Sequence, residues 1–246
     1  MKYLLEKTVS KAIDFVDKYY HMKNLSKYLK QFNFKDDSIV FDVGTHKGEY
    51  LDFFLKLNKN FKIFSFEPQK KIFESLKVKY SNQNNVYLNN LGLGEKKENL
   101  EMKINIKSST STFSRLNYSS NYLKLKSKIL GTGVNKMFYK SEIVPIQTID
   151  NYMFENNLNK VDILKIHTMG FEYKVLSGAE KTLSKIKLIL IEFRSHDLYI
   201  DYDSKQIHDF LIKNNFLLQK SFKFPFMNWE DRAYINESFK QNLKNW

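Results

Sequence analysis

The chain contains no cysteine, which excludes disulfides, thiolate metal ligands and a cysteine nucleophile. Proline is scarce, at 3 in 246 residues, and no linker divides the chain. Arginine stands only at 115, 194 and 232, so nearly all the basic residues are lysine. No stretch approaches the roughly 18 consecutive apolar residues of a membrane span. The opening MKYLLEKTVSKAIDFVDKYY spaces its apolar residues helically among both charges. It lacks the uninterrupted apolar core of a signal peptide, and a soluble, cytoplasmic protein is expected.

Hydrophobic residues make up 42% of the chain and aromatics 15%, a composition that argues for a packed core and against general disorder. The formal charge of +13 raises the question of a polyanion, because clustered cations release counterions from a phosphate backbone. The lysines are spread along the whole chain instead of forming a block. Nucleic acid is therefore not the expected partner, and an acidic small molecule or glycan is preferred to it.

Residues 2–31 read as two amphipathic helices, with Leu4, Leu5, Val9, Ile13, Phe15 and Val16 on the apolar side. From residue 38 strands and helices alternate: SIVFDV, KGEYLDFFLKL, KIFSFE, QKKIFESLKVKY, then VYLNNLGLG as a third strand. Near-continuous apolar strands between helices predict a parallel sheet covered on both faces. ENLEMKINI and EIVPIQT read as strands on either side of a polar, weakly periodic insertion at about 108–142, the kind of long segment that serves as a lid. Alternation resumes with TIDNYMFENN, VDILKI, EYKVLSGAEKTL, KLILIEF and DSKQIHDFLIKNN, closed by FLLQKSF and RAYIN. One domain is expected over 1–246, with a helical cap at 1–33 and an α/β core at 34–246.

VFDVGTHKGEY carries the first chemistry. A buried strand ends in Asp42-Val43, turns through Gly44-Thr45-His46-Lys47-Gly48 and enters a helix. Gly44 can take a positive φ, and helix N–H groups beyond it would favour an acidic ligand group. The glycines follow G-x-x-x-G, not the G-x-G-x-x-G of dinucleotide folds, which counts against a nicotinamide dehydrogenase. About twenty residues on, KIFSFEP ends in Glu67, placed to accept hydrogen bonds from two ribose hydroxyls, and Pro68 starts the next helix. Glu67 also reads as an ordinary helix-capping acid.

These stretches, with NNLGLGEKKENLEM, VPIQTIDNYM and VDILKIHTMGFEYKVLSGAEKTL…KLILIEF, resemble the FkbM family of S-adenosylmethionine-dependent methyltransferases over about 40–193. The resemblance implies a class I methyltransferase (Rossmann-like) fold, a seven-stranded, mostly parallel sheet whose last strand is antiparallel. It implies S-adenosyl-L-methionine as cofactor, S-adenosyl-L-homocysteine as product, and methyl transfer to a hydroxyl, commonly on a sugar. It assigns Asp42, Gly44 and Gly48, with the intervening Thr45 and His46, to the cofactor motif. Glu67 and Pro68 follow as the ribose end, and Asn90 and Leu91 as adenine neighbours. The Ser/Thr cluster 109–112, with Ser111, falls near the reaction site, although such a loop can equally cap its own backbone.

At 164–172, LKIHTMGFE, the family pattern K-I-D-x-E/Q-G-x-E is broken twice, by His167 and Met169, while Gly170 and Glu172 match. Methyl transfer to a hydroxyl gains from a base near neutral pH, and a histidine qualifies. His167 is thus expected as the base. Two other readings stay open: lost activity in a cofactor-binding relative, or a histidine merely hydrogen-bonded at a strand end. Glu192 would point into the same crevice, as base or acceptor guide. Glu172 either steadies a helix N-terminus or meets substrate. Tyr118, Tyr122, Lys124 and Tyr139 in the insertion suit a small-molecule or glycan hydroxyl acceptor, and KFPFMNWEDRAYIN can close the site from the other side. His196 and His208 read as surface or loop residues. No metal is expected, since His167 weakens an oxygen-ligand site and no other ligand spacing appears. An RNA methyltransferase of the same fold is the rival favoured by charge. The oligomeric state is not fixed by the sequence.

Overall fold

The computed structural model describes residues 19–129, 133–223 and 228–240. The first of the two expected N-terminal helices, over most of 2–18, and residues 224–227 of the KFPFMNWEDRAYIN stretch lie outside the described residues. Helix α1 is described over 19–29.

Strands β1 (Ile39–Val43), β2 (Lys62–Phe66) and β3 (Val86–Asn89) alternate with helices α2 (Glu49–Leu57) and α3 (Lys70–Lys79). Next come β4 (Gly92–Leu93), β5 (Glu98–Asn105), α4 (Asn121–Ile129), α5 (Val134–Met137) and β6 (Phe138–Gln147). The chain then runs through α6 (Ile149–Glu155), β7 (Val161–Ile166), α7 (Glu172–Ser177), β8 (Ile186–Arg194), α8 (Ser204–Lys213), β9 (Phe216–Lys223) and β10 (Trp229–Asn236). The large sheet has seven strands in the order β3-β2-β1-β7-β8-β10-β9. β10 is antiparallel to both its neighbours, while β3, β2, β1, β7 and β8 are parallel. This order, reversing between β1 and β7, is the class I methyltransferase fold implied by the sequence resemblance.

Parallel strands need crossovers, and the helices supply them by burying one stripe each against the sheet. One face packs Phe41, Phe66, Leu164, Ile166, Ile189 and Ile191 against Tyr152, Leu176 and Leu211 of α6, α7 and α8. The other packs Val40, Ile63, Ile163, Leu188 and Ala233 against Leu25 and Leu29 of α1 and Leu51 and Phe54 of α2.

The middle of the chain departs from the expected pattern. VYLNNLGLG is two strands, not one: β3 stays in the large sheet, while Gly92 and Leu93 pair with Ile146 and Gln147 in a second, three-stranded sheet of order β4-β6-β5. The β5 partnership also carries β6 back to Phe138, which pairs with Asn105 across a register shift. The segment between the strands is therefore 106–137, and 138–142 belong to a strand whose polar residues hid it. α7 stops at Ser177, shorter than EYKVLSGAEKTL suggested, because the chain turns at Gly178. A Cβ on Gly178 would come within 2.0 Å of the Gly94 carbonyl oxygen, so the two backbones touch there.

Candidate active site

The ends of β1, β2, β7 and β8 and the start of antiparallel β10 meet at one edge of the large sheet, and a cavity of about 410 Å³ opens there. On the face shared with α1 and α2 the apolar residues give way near this edge. Asp42 pairs in register with Ser65 and Lys165, and one step further along come Glu67, Gly44, His167, Glu192 and Asp231, the last two directly opposite each other.

The inner row is closed on itself. Lys165 Nζ lies 2.9 Å from Asp42 Oδ1 and donates to the carbonyls of Val43 (3.2 Å) and Gly44 (2.9 Å). Asp42 is wholly buried and does not border the cavity. Its part is to hold the lysine that pins the glycine turn. Gly44 has φ +77°, and a Cβ on it would stand 1.9 Å from the His167 carbonyl oxygen. Glycine is thus required where the turn after β1 passes the end of β7. Gly48 is not at the cavity. At φ +83° its added Cβ would strike the Tyr80 hydroxyl at 2.2 Å, so this second glycine of the motif serves packing.

Thr45, His46, Glu67 and Pro68 line the cavity. Both Glu67 carboxylate oxygens accept backbone hydrogen bonds, from His46 N and Gln69 N at 2.8 Å each. Burial pushes the Glu67 carboxyl up, against these two donors. The two bonds leave lone pairs on each oxygen for further donors. Asn90 instead ties the loop from behind, donating Nδ2 to the carbonyls of Glu67 and Pro68 (2.9 and 3.1 Å). Leu91 packs into the core, and the cavity wall is taken by Gly92 and Leu93, with Met102, Phe113 and Phe171 beside them.

The Ser/Thr cluster latches loops together. Ser108 Oγ meets His46 Nε2 at 2.9 Å, Gln69 Nε2 donates to the Ser108 carbonyl at 3.2 Å, and Ser111 Oγ donates to Gln69 Oε1 at 3.2 Å. Thr112 Oγ1 donates to the Met169 carbonyl at 2.7 Å. The segment that carries the cluster therefore bridges the β1 and β2 loops to the β7 loop, with Ser111 on the cavity wall. Tyr122 of α4 also lines the cavity, whereas Tyr118 is half-exposed and does not.

At the β7 end, the His167 ring borders the cavity and its Nε2 lies 2.9 Å from Asp231 Oδ1. Glu192 pairs with Arg194, and Arg194 also reaches the sulfur of Met169 at 3.0 Å. Glu172 is wholly buried and away from the cavity wall. It accepts from the Thr168 N–H at 2.9 Å and the Gly170 N–H at 3.0 Å, which fixes the loop through Met169, where φ is +57°. Burial pushes its carboxyl up, against the pull of Arg194. The sequence predicts that Glu172 steadies a helix N-terminus or meets substrate; its carboxylate instead holds the loop ahead of α7, off the cavity wall. His196 stacks on Tyr122 at 4.1 Å between ring centroids, and His208 Nδ1 meets the Tyr234 hydroxyl at 2.8 Å.

Sequence reasoning missed Tyr50, Lys165, Arg194, Asp231 and His21. For Lys165 a signal existed, a lone cation inside the apolar run VDILKI. For Asp231 there was another: Asp231, Ala233 and Ile235 share one face by strand alternation, which puts the carboxylate in line with core residues. Among the described residues no group of acids and histidines is placed to hold a metal ion, and no helix is long and apolar enough to cross a membrane.

No curated protein matches the chain. Among solved structures it is similar to M. capricolum TrmK in complex with S-adenosyl-homocysteine, at 8% identity and a TM-score of 0.48, over 87% of this chain and 67% of that one. It is similar to a putative rRNA methylase from Clostridium thermocellum at 13% identity and a TM-score of 0.48, over 87% and 94%. A third is the Methanococcus jannaschii fibrillarin pre-rRNA processing protein, at 12% and 0.49, over 82% and 68%. The model of the methyltransferase FkbM domain matches residues 42–218, from the Asp42 that anchors the glycine turn to the strand beyond α8. The chain belongs to the FkbM methyltransferase family, and its cofactor is S-adenosylmethionine.

Proposed function

We propose that the chain transfers a methyl group to a hydroxyl of a sugar, glycan or related metabolite in the cytoplasm, with His167 as the general base. The observation that carries this reading is the His167 imidazole on the cavity wall, backed by the Asp231 carboxylate at 2.9 Å. Bound S-adenosylmethionine supplies a methyl group already activated on a sulfonium, so the protein's work is alignment and removal of one proton. Glu67 suits the ribose hydroxyls, with lone pairs left on oxygens fixed by His46 N and Gln69 N. The wall of Leu93, Met102, Phe113 and Phe171 suits the flat base. Thr45 and the turn at Gly44 border the same end.

His167 stands on the other side of that turn. With Nε2 facing Asp231 Oδ1 at 2.9 Å, the nitrogen left for an acceptor proton is Nδ1, and a carboxylate so close stabilises the imidazolium that forms. Glu192 and Arg194 offer an acceptor one oxygen partner and one nitrogen partner side by side. Tyr122 and Trp229, also on the wall, present aromatic faces of the kind that sugar rings pack against.

Calorimetric titration with S-adenosylmethionine, S-adenosylhomocysteine and NAD comes first, with binding of the first two alone expected. The acceptor is then sought by following S-adenosylhomocysteine release over panels of sugars, glycolipids and RNA. Release with a hydroxylated sugar, abolished in His167→Ala while S-adenosylhomocysteine still binds, is the expected result. Release with RNA alone, its binding falling steeply with salt, would transfer the function to the charge-favoured rival. Cofactor binding without release on any panel would favour a relative that has lost turnover.

A further inference from the structure

Asp231 is wholly buried and does not border the cavity, yet three residues that do border it converge on its carboxylate. His167 Nε2 lies 2.9 Å from Oδ1, His21 Nε2 lies 2.9 Å from Oδ2, and the Tyr50 hydroxyl donates to Oδ2 as well. His21 Nε2 and the Tyr50 hydroxyl are themselves 2.9 Å apart. The Tyr50 ring meets His167 edge-on at 4.8 Å between centroids. A carboxylate taken this far from water is costly unless it is paired and hydrogen-bonded. Burial alone would push Asp231 up, but His167 and His21 outweigh it and hold the carboxyl well below its usual range.

The four side chains come from α1, α2, the residue that follows β7, and β10. Two of them, His21 and Asp231, lie outside the segment 42–218 that the family model matches. Nothing in local sequence brings them together. Only the docking of α1 on the sheet and the antiparallel insertion of β10 beside β8 do so.

We propose that Asp231, held by His21 and Tyr50, is the positioning carboxylate of His167, so that the N-terminal helix and the last strand complete this active site. The inference deepens the reading of His167 as base and rests on it for its catalytic meaning. Its geometric content stands apart. Position 167 must carry a group that can pair with a buried carboxylate, and an acid there would face a like charge at contact distance. The departure of His167 from the K-I-D pattern and the presence of Asp231 are then one feature.

The test needs no acceptor, so it can fail independently of the proposed methyl transfer. Thermal unfolding is measured for His167→Asn and His167→Asp, each with Asp231 intact and with Asp231→Asn, alongside S-adenosylhomocysteine binding. The expected result is that Asp at 167 lowers the melting temperature more than Asn does, by about 5 °C or more, only when Asp231 is present. Equal costs in both backgrounds would overturn the proposal. If H167D fails to fold and H167D/D231N folds, the same conclusion holds.

A spectroscopic arm tests positioning itself. In protein labelled with nitrogen-15 at histidine, the His167 Nε2–H should give a slowly exchanging resonance. His21→Gln and Tyr50→Phe should each displace or broaden it, an effect that general loosening at a distance would not confine to that ring. A resonance unchanged in both variants would show that His21 and Tyr50 do not position His167, and the proposal would fall.

Discussion

The two faces of the large sheet are built from the same strands and end differently. On the side of α6, α7 and α8 the residues stay apolar to the last position: Val43, Phe66, Ile166 and Phe193 are all core. On the side of α1 and α2 the same strands begin with Val40, Ile63, Ile163 and Leu188. They then turn to Asp42, Lys165, Glu192 and, across on β10, Asp231. Alternation along a strand sends neighbours to opposite faces, so a single strand carries both programmes: Lys165 beside Ile166, Glu192 beside Ile191. One face is held by packing, the other near its end by pairing. The difference is what allows a packed edge to present ionisable groups to a cavity.

The two kinds of cohesion should break differently, and the pair Lys165–Asp42 gives the largest effect. Lys165→Met strands the buried Asp42 carboxylate, and breaking such a pair costs about 4 kcal/mol. Asp42→Asn added to it should recover most of that loss, since removing both charges is often close to neutral. Urea unfolding of the two single variants and the double gives the coupling directly. A double variant as unstable as K165M would mean that the lysine's bonds to the Val43 and Gly44 carbonyls matter more than the ion pair.

The neighbouring residue on the other face should behave otherwise. Ile166→Ala leaves a void among Phe41, Leu164 and Ile191, at about 3 kcal/mol. No second truncation should restore it, because a void has no partner to remove. S-adenosylhomocysteine affinity should change less than twofold, measured by calorimetry, since Ile166 faces away from the cavity. A tenfold loss would mean that the packing behind Val43 and Phe66, which do line the cavity, sets the shape of the site.

The same contrast decides what the sequence revealed. The apolar programme was legible: β1, β2, β7 and β8 and their helices follow from continuous apolar runs and 3.6-residue periodicity, and a seven-stranded, mostly parallel sheet with an antiparallel last strand followed from the family resemblance. Glu67, His167 and Glu192 were legible as site candidates because each ends such a run at the edge where ligands bind. Asp231 was not assigned because β10 is antiparallel and carries its acid at the strand's beginning, in the polar-looking stretch NWEDRAYIN. Tyr50 and His21 sat in amphipathic helices, where an aromatic ring or a histidine reads as core. Gly48 looked like part of the cofactor turn, and only the Tyr80 side chain, 32 residues away, explains it. The polar β6 start escaped because its alternation is hidden until β5 pairs with it.

A smaller effect tests how far the charged face extends into the segment that covers it. His196 follows β8 and lies against Tyr122, with the ring partly buried; burial, Arg194 and Lys126 together lower it from the ordinary 6.5 to about 4. The unfolded chain therefore takes up a proton that the folded chain refuses, and stability rises with pH across that window. The contribution is complete above pH 6.5 and is lost as pH falls toward 4. At pH 5 the loss relative to pH 7 should be about 1 kcal/mol once solvent at the partly exposed ring is allowed for. Glu67 and Glu172, both raised, give the opposite slope above the ordinary carboxylate value, so total stability against pH does not isolate the histidine. The difference between wild type and His196→Phe does, because phenylalanine keeps a ring against Tyr122 and cannot take up the proton. Urea midpoints at pH 7 and pH 5 should separate the two proteins only at the lower pH. Parallel behaviour at both would mean that burial and the neighbouring cations do not keep the His196 ring neutral in the folded chain.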